Sequence, residues 1–190
     1  MKGITEIRWH GRAGQGTVSA AKILADTAMA AGDNVQAFPE YGPEREGAPV
    51  RAYNRVGKRK FSIYCEIEHP GVIVLIDPTL LDTVKVADGA TAETVFLVNS
   101  PKCPGDLKAA HPQLKPFKVW TVDATNISLA SLGKSFPNTP TLGALAKVSG
   151  VVGLEALLEN VKGILGKKLS AEVIAKNLSV VRRGFEEVQN

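Results

Sequence analysis

The six residues GRAGQG at positions 11–16 follow a stretch of alternating polar and apolar residues ending in His10, and precede an alanine-rich segment. A glycine-rich turn from a strand into a helix presents free backbone N–H groups at the positive end of the helix dipole, which suits phosphate or carboxylate. Arg12 and Gln15 add polar side chains within the same turn. The order is G-x-x-G-x-G, not the G-x-G-x-x-G of dinucleotide-binding folds, and no Gly-Lys-Ser/Thr follows as a P-loop requires. Two readings stay open. Gly11, Arg12, Gly14, Gln15 and Gly16 form an anion site or a contact with another chain, or the glycines serve close packing of helix on strand. His10 either touches whatever the turn touches or is a satisfied structural histidine.

Other reactive groups are sparse. Cys65 and Cys103 are the only cysteines, which excludes a four-cysteine iron–sulfur cluster held by this chain alone and a CxxC redox pair. Cys65, within FSIYCEI, reads as a core residue, and Cys103, within SPKCPG, as a loop residue, with an exposed thiol the lesser of two readings. His10, His69 and His111 are dispersed, so no zinc-ligand spacing arises. No serine stands in a G-x-S-x-G elbow. Asp77, after the apolar run VIVLI, stands where α/β folds often place functional residues, and equally where it would cap the helix that follows, the favoured reading. No catalytic residue and no metal ligand is assigned.

The bulk properties bound the partners. Charged residues are 22% and hydrophobic residues 44%, ordinary for a globular chain. The net charge of +4 comes from scattered Lys and Arg, and aromatics are only 6%, so base-stacking platforms for nucleic acid are not expected. The densest cluster, Arg55, Lys58, Arg59 and Lys60, reads as a solvated hairpin tip or a docking surface for an acidic partner. No apolar run approaches the ~18 residues of a membrane span, and MKGITEIRWH lacks the apolar region of a secretory signal, so a cytoplasmic location is expected.

The elements that must position these groups follow the same pattern. A strand over Glu6–His10, a helix over Thr17–Ala31 stopped by Gly32, and a strand over Asn34–Phe38 make a β-turn-α-β unit that favours a parallel connection. Val50–Val56 and Phe61–Ile67 read as a hairpin around Gly57-Lys58. VIVLI at 72–76 predicts a strand buried on both faces, with Val95–Val98 and Val119–Val122 repeating it more weakly. Helices are predicted over Thr141–Ser149 and Leu154–Leu165, then from Ser170 as N-cap, with Ile174, Leu178, Val181, Phe185 and Val188 as one buried stripe. The expectation is a single α/β domain over residues 1–190, Rossmann-like, with a largely parallel or mixed sheet, a β-hairpin and a helical C-terminal part.

Taken together, EIRWHGRAGQG at 6–16, VQAFPEYGPEREGAPVRAYNRV at 35–56, NTPTLGALAKVSG at 138–150 and KNLSVVRRGFE at 176–186 resemble the gamma subunit of pyruvate and related 2-oxoacid:ferredoxin oxidoreductases. The same unit is fused as an internal domain in single-chain forms of that enzyme. The resemblance runs through essentially the whole chain. It implies an assembly that oxidatively decarboxylates a 2-oxoacid, most closely pyruvate, to acyl-CoA and carbon dioxide, with electrons passed to ferredoxin. It implies alpha, beta and delta subunits as partners. Thiamine diphosphate, magnesium, iron–sulfur clusters and CoA serve the complex, and none is bound by this chain alone. The proline-rich segment PEYGPEREGAP suits a rigid contact loop, with Glu40, Tyr41, Glu44, Arg45 and Glu46 as candidate subunit-interface residues. The competing reading is a stand-alone nucleotide-binding domain that uses the Gly11–Gly16 turn.

Overall fold

The computed structural model describes residues 3–40, 47–63, 65–166 and 169–190. Six strands form one mixed sheet in the order β2-β3-β1-β4-β5-β6. They are β1 (Ile4–Arg12), β2 (Asn34–Glu40), β3 (Pro49–Gly57), β4 (Val72–Leu75), β5 (Val95–Asn99) and β6 (Lys118–Val122). Strands β1, β4, β5 and β6 run parallel, whereas β3 is antiparallel to both of its neighbours, β1 and β2.

The position of β3 revises two expectations. The first strand and helix do lead to a strand of the same direction, but β3 lies between β1 and β2 and pairs with each. The expected hairpin partner of β3, residues 61–67, forms no strand among the described residues. The reason is geometric. Both edges of β3 are already taken, so no row of backbone groups is left for a further strand. The hairpin pairing is instead β2 with β3.

Helix α1 (Thr17–Ala30) packs its alanines Ala20, Ala21 and Ala28 on this antiparallel half. Small side chains let the helix backbone approach closely enough for Asn54 Nδ2 to donate to the Ala21 carbonyl at 2.9 Å. Asn54 Oδ1 in turn accepts from Trp9 Nε1 at 2.8 Å, satisfying both polar groups inside the core.

The parallel half is apolar on both faces. Val72 and Val74 of β4 join a core with α1, α5 (Asn138–Ser149), α6 (Leu154–Leu165) and α7 (Ala171–Glu187). Ile73 and Leu75 join a second core on the opposite face, with Leu80 and Leu81 of α2 (Leu80–Thr83) and Leu107 of α3 (Pro104–Ala110). The unbroken run in the sequence is thereby explained: each face has its own cover. Two short helices, α3 and α4 (Ala124–Leu132), arise outside the elements that the spacing predicts. Cys103 caps α3 with Pro104 at its first position, and the Asp123 side chain caps α4.

The C-terminal helices confirm Leu154–Leu165 to the residue, and Ser170 accepts from the Val173 N–H as a cap. In the expected stripe of α7, Val181 and Val188 are buried, while Ile174, Leu178 and Phe185 are half-buried. The deepest contacts also include Val180 and Gly184, which the spacing passes over. A Cβ at Gly184 would collide with the Pro140 carbonyl, and one at Gly143 with the Val181 carbonyl. Helices α5 and α7 therefore cross backbone to backbone.

Candidate functional site

The strand order reverses direction between β1 and β4, and their carboxyl ends form the crevice where open α/β sheets place ligands. The GRAGQG turn occupies that place. Gly11 has no Cβ because the Thr17 hydroxyl sits where one would lie. That hydroxyl is buried without a hydrogen-bond partner among the described residues. Gly16, at φ 76°, precedes the first turn of α1 in the left-handed region, with the Asn138 amide against its Cα. Asn138 opens α5, three residues before the expected start, and brings the N-terminal ends of α1 and α5 together.

Asp77 organises the turn. Its Oδ1 accepts from the Thr79 N–H at 2.9 Å and the Thr79 hydroxyl at 2.6 Å. Oδ2 accepts from Gln15 Nε2 at 2.7 Å and pairs with Arg12 Nε at 3.2 Å. Burial pushes the carboxyl up, but the hydrogen bonds from Thr79 and Gln15 and the Arg12 charge outweigh it and hold the group below its ordinary value. Asp77 is therefore more than the helix cap expected: Thr79 is the N-cap residue of α2, without a side-chain capping bond, and Asp77 accepts its N–H from two residues before. Arg12 extends the link, donating to Thr79 Oγ1 at 2.9 Å and the Gly47 carbonyl at 3.1 Å. Ala13 N–H also donates to the Ala48 carbonyl at 2.9 Å, so the glycine turn and the end of the PEYGPEREGAP segment are hydrogen-bonded to each other.

Strand β1 alternates, and its second face was not legible as a site. Ile7 and Trp9 enter the core. Glu6, Arg8, His10 and Arg12 project from the other face beside Arg51, Tyr53 and Arg55 of β3, as the strand register requires. The middle of this polar face is buried, at Arg8, His10, Tyr53 and Arg55, while Glu6 and Arg12 are half-buried and Arg51 is exposed. Arg55, 1% exposed, pairs with Glu6 at 2.8 Å and donates to the carbonyls of Ile63 and Glu66. It is not part of a solvated tip: its fork holds the 61–67 segment across the sheet. Cys65 is exposed on that segment, not in the core, and Cys103 is also exposed.

Arg8 donates from Nε to His10 Nε2 at 3.2 Å and from Nη2 to the carbonyls of Val86 and Asp88 at 3.0 and 2.5 Å. Burial, followed by the charges of Arg8 and Arg51, lowers the His10 pKa to about 3, so the imidazole is neutral. Burial also lowers the Arg8 pKa. Glu40, the described member of the expected interface set, accepts from Arg51 at 2.5 Å and from the Tyr53 hydroxyl at 2.6 Å. Tyr41, Glu44, Arg45 and Glu46 lie outside the described residues. A cavity of about 380 Å³ opens between Glu40, Arg51, His10, Leu80, Val84 and Lys85.

Arg8 and His10 were not singled out as a pair from the sequence. The available signal was four polar residues at every second position of EIRWHGR, an unusual density for a strand leading into a glycine turn. Cofactor ligands are a different matter. Among the described residues no three His, Cys, Asp or Glu side chains gather as a metal site, and the two cysteines are unpaired. The residues present do not fit an iron–sulfur cluster. Nor is any helix among them long and apolar enough to cross a membrane.

Fold and site together define a Rossmann-like α/β chain with a mixed sheet, whose glycine turn is tied down by its own carboxylate. The chain belongs to the pyruvate ferredoxin/flavodoxin oxidoreductase family, whose model matches residues 6–187. It is 46% identical over 185 residues to the pyruvate synthase subunit PorC of Thermotoga maritima, covering 97% of this chain and 94% of that one. It is 42% identical over 184 residues to the pyruvate/ketoisovalerate oxidoreductases common subunit gamma of Pyrococcus abyssi, covering 97% of each. The crystal structure of the Thermotoga maritima pyruvate oxidoreductase subunit PORC superposes with a TM-score of 0.85 at 43% identity, covering 99% of this chain and 98% of that one. Similarity of this extent, with no dinucleotide-type glycine spacing, disfavours the stand-alone nucleotide-binding reading.

Proposed function

We infer that this chain is the gamma subunit of a heteromeric 2-oxoacid:ferredoxin oxidoreductase, with pyruvate as the assembly's substrate. The observation that carries the reading is the end-to-end similarity to subunits named for pyruvate oxidation or synthesis. On this reading residues 1–190 are one domain acting in the cytoplasm, and alpha, beta and delta chains supply what this one lacks. Thiamine diphosphate with magnesium provides the decarboxylation chemistry and iron–sulfur clusters the path to ferredoxin. Those groups sit on the partner chains, in keeping with the poor fit of this chain's cysteines to a cluster.

The role assigned to this chain is to shape the assembly. The Gly11–Gly16 turn, with Arg12 and Gln15 oriented by Asp77, faces either the anionic part of CoA or a neighbouring subunit. Glu40, together with Tyr41, Glu44, Arg45 and Glu46, contacts the alpha or beta chain. The hydrogen bonds from Arg12 and Ala13 to Gly47 and Ala48 support treating turn and loop as one surface.

The test is reconstitution. The purified chain supplied with thiamine diphosphate, CoA, pyruvate and a dye acceptor is expected to give background rates only. Adding it to the other subunits is expected to restore CoA-dependent pyruvate oxidation. Turnover by this chain alone, or full activity of the complex without it, would overturn the reading.

A further inference from the structure

The polar face of β1 and β3 carries four arginines. Three of them have a carboxylate in contact: Arg12 has Asp77, Arg51 has Glu40 and Arg55 has Glu6. Arg8 is the exception. It is 4% exposed, and its partners are two carbonyls and an imidazole, all uncharged. Among the described residues its charge has no counter-ion in contact, an arrangement that is unfavourable in a protein interior unless an anion comes from elsewhere.

His10, neutral and hydrogen-bonded to Arg8, links that charge to the cavity. Arg8 Nε can only donate, so His10 Nε2 must accept, and the proton of the neutral ring lies on Nδ1. Nδ1 has no acceptor among the described residues, and the 4% exposed ring lines the cavity of about 380 Å³. Leu80 and Val84 make part of its wall apolar, and Lys85 is exposed at its rim. Two acids line the cavity and act on Arg8 from a distance: Asp88, which is exposed, and then Glu40, which is already matched by Arg51 and Tyr53.

We propose that this cavity binds the phosphate or carboxylate group of a small molecule, with His10 Nδ1–H as donor, Arg8 behind it as the compensating charge and Lys85 at the mouth. The site is separate from the glycine turn, whose arginine already has Asp77. It does not depend on the subunit assignment, because this chain contains every residue it needs.

Titration calorimetry of the purified full-length chain with inorganic phosphate, and separately with acetate, tests it. Saturable binding of either anion is expected, and selectivity between them identifies which oxyanion group the site takes. His10→Phe should weaken binding about tenfold, and Lys85→Ala several-fold, as loss of one charge-assisted contact requires. Lys162, exposed on α6, does not line the cavity, and Lys162→Ala should bind as the parent does. Lys85 is exposed, so Lys85→Ala keeps the test valid should His10→Phe fail to fold. No saturable binding of either anion, or binding unchanged by both His10→Phe and Lys85→Ala, would overturn the proposal. So would binding lost in Arg12→Ala but kept in both His10→Phe and Lys85→Ala.

Discussion

Gln15 and Asp77 lie 62 positions apart in the chain and meet amide to carboxylate at 2.7 Å. The contact ties the turn after β1 to the turn after β4, and the same carboxylate holds Arg12 and Thr79. Removing these acceptors by Asp77→Ala should lower stability by about 2 kcal/mol at neutral pH. Asp77→Asn, which keeps one oxygen, should lower it less. The folded carboxyl lies below its ordinary value, so its contribution is present above the unfolded pKa, near pH 4, and is lost as pH falls through the folded one. The gap between parent and Asp77→Asn should therefore narrow in acid. Urea melts at neutral and acid pH measure both, and identical melts at neutral pH would contradict the assigned role.

His10 predicts a second pH dependence over a different window. Its folded pKa of about 3 lies below the 6.5 of a free imidazole, so between these values the unfolded chain binds the extra proton. Stability should decline as pH falls below 6.5, by up to about 1.4 kcal/mol per pH unit from this group. His10→Gln offers Arg8 an amide oxygen without a titrating ring, and should flatten that part of the curve. An unchanged slope in the variant would mean that other groups carry it.

The expectations that held came from short-range patterns. Leu154–Leu165 carries its own period and glycine stops, Ser170 its own cap, and VIVLI its own evidence of two covered faces. The expectations that failed needed a partner remote in sequence. Phe61–Ile67 has strand composition, yet β1 and β2 occupy the edges it would need. Arg55 stands among surface-like Lys and Arg residues but is buried because Glu6 lies opposite it in the register. Of the candidate site, the Gly11–Gly16 turn was legible, since glycine spacing is local. Asp77 was visible as a residue but not as the partner of Gln15, and Arg8 with His10 required knowing that the polar face of β1 is covered.

The crossing of α5 and α7 offers a packing test. Gly143→Ala or Gly184→Ala places a methyl group against backbone that cannot rotate aside. Each should cost about 1–3 kcal/mol, and the pair should cost less than the sum because both substitutions force the same two helices apart. Since α5 carries Asn138 to the glycine turn, either variant should also reduce incorporation into the complex. Thermal melts and subunit pull-down measure the two effects, and a parent-like melting temperature would refute the close crossing.

Arg12→Ala tests the glycine turn in the assembled enzyme. If the turn serves CoA, the apparent Michaelis constant for CoA should rise about tenfold, with that for pyruvate unchanged. If it serves a neighbouring subunit, complex yield should fall instead. Steady-state kinetics alongside gel filtration separates these outcomes, and a variant normal in both would leave the turn a packing device.

The insertion of β3 between β1 and β2 also sets an order on synthesis. After the first forty-eight residues have been made, β1 and β2 exist but neither has its neighbour, and the alanine face of α1 has no sheet to rest on. Closure waits for residues 49–57, which supply both ladders at once and the Asn54 that meets Trp9 across 45 positions. Until then the nascent chain displays two unpaired strands and an uncovered helix, the features by which chains aggregate or are held by chaperones. Slowing translation just before residue 49 would prolong that exposure, whereas slowing it after residue 57 would give the first half of the sheet time to form.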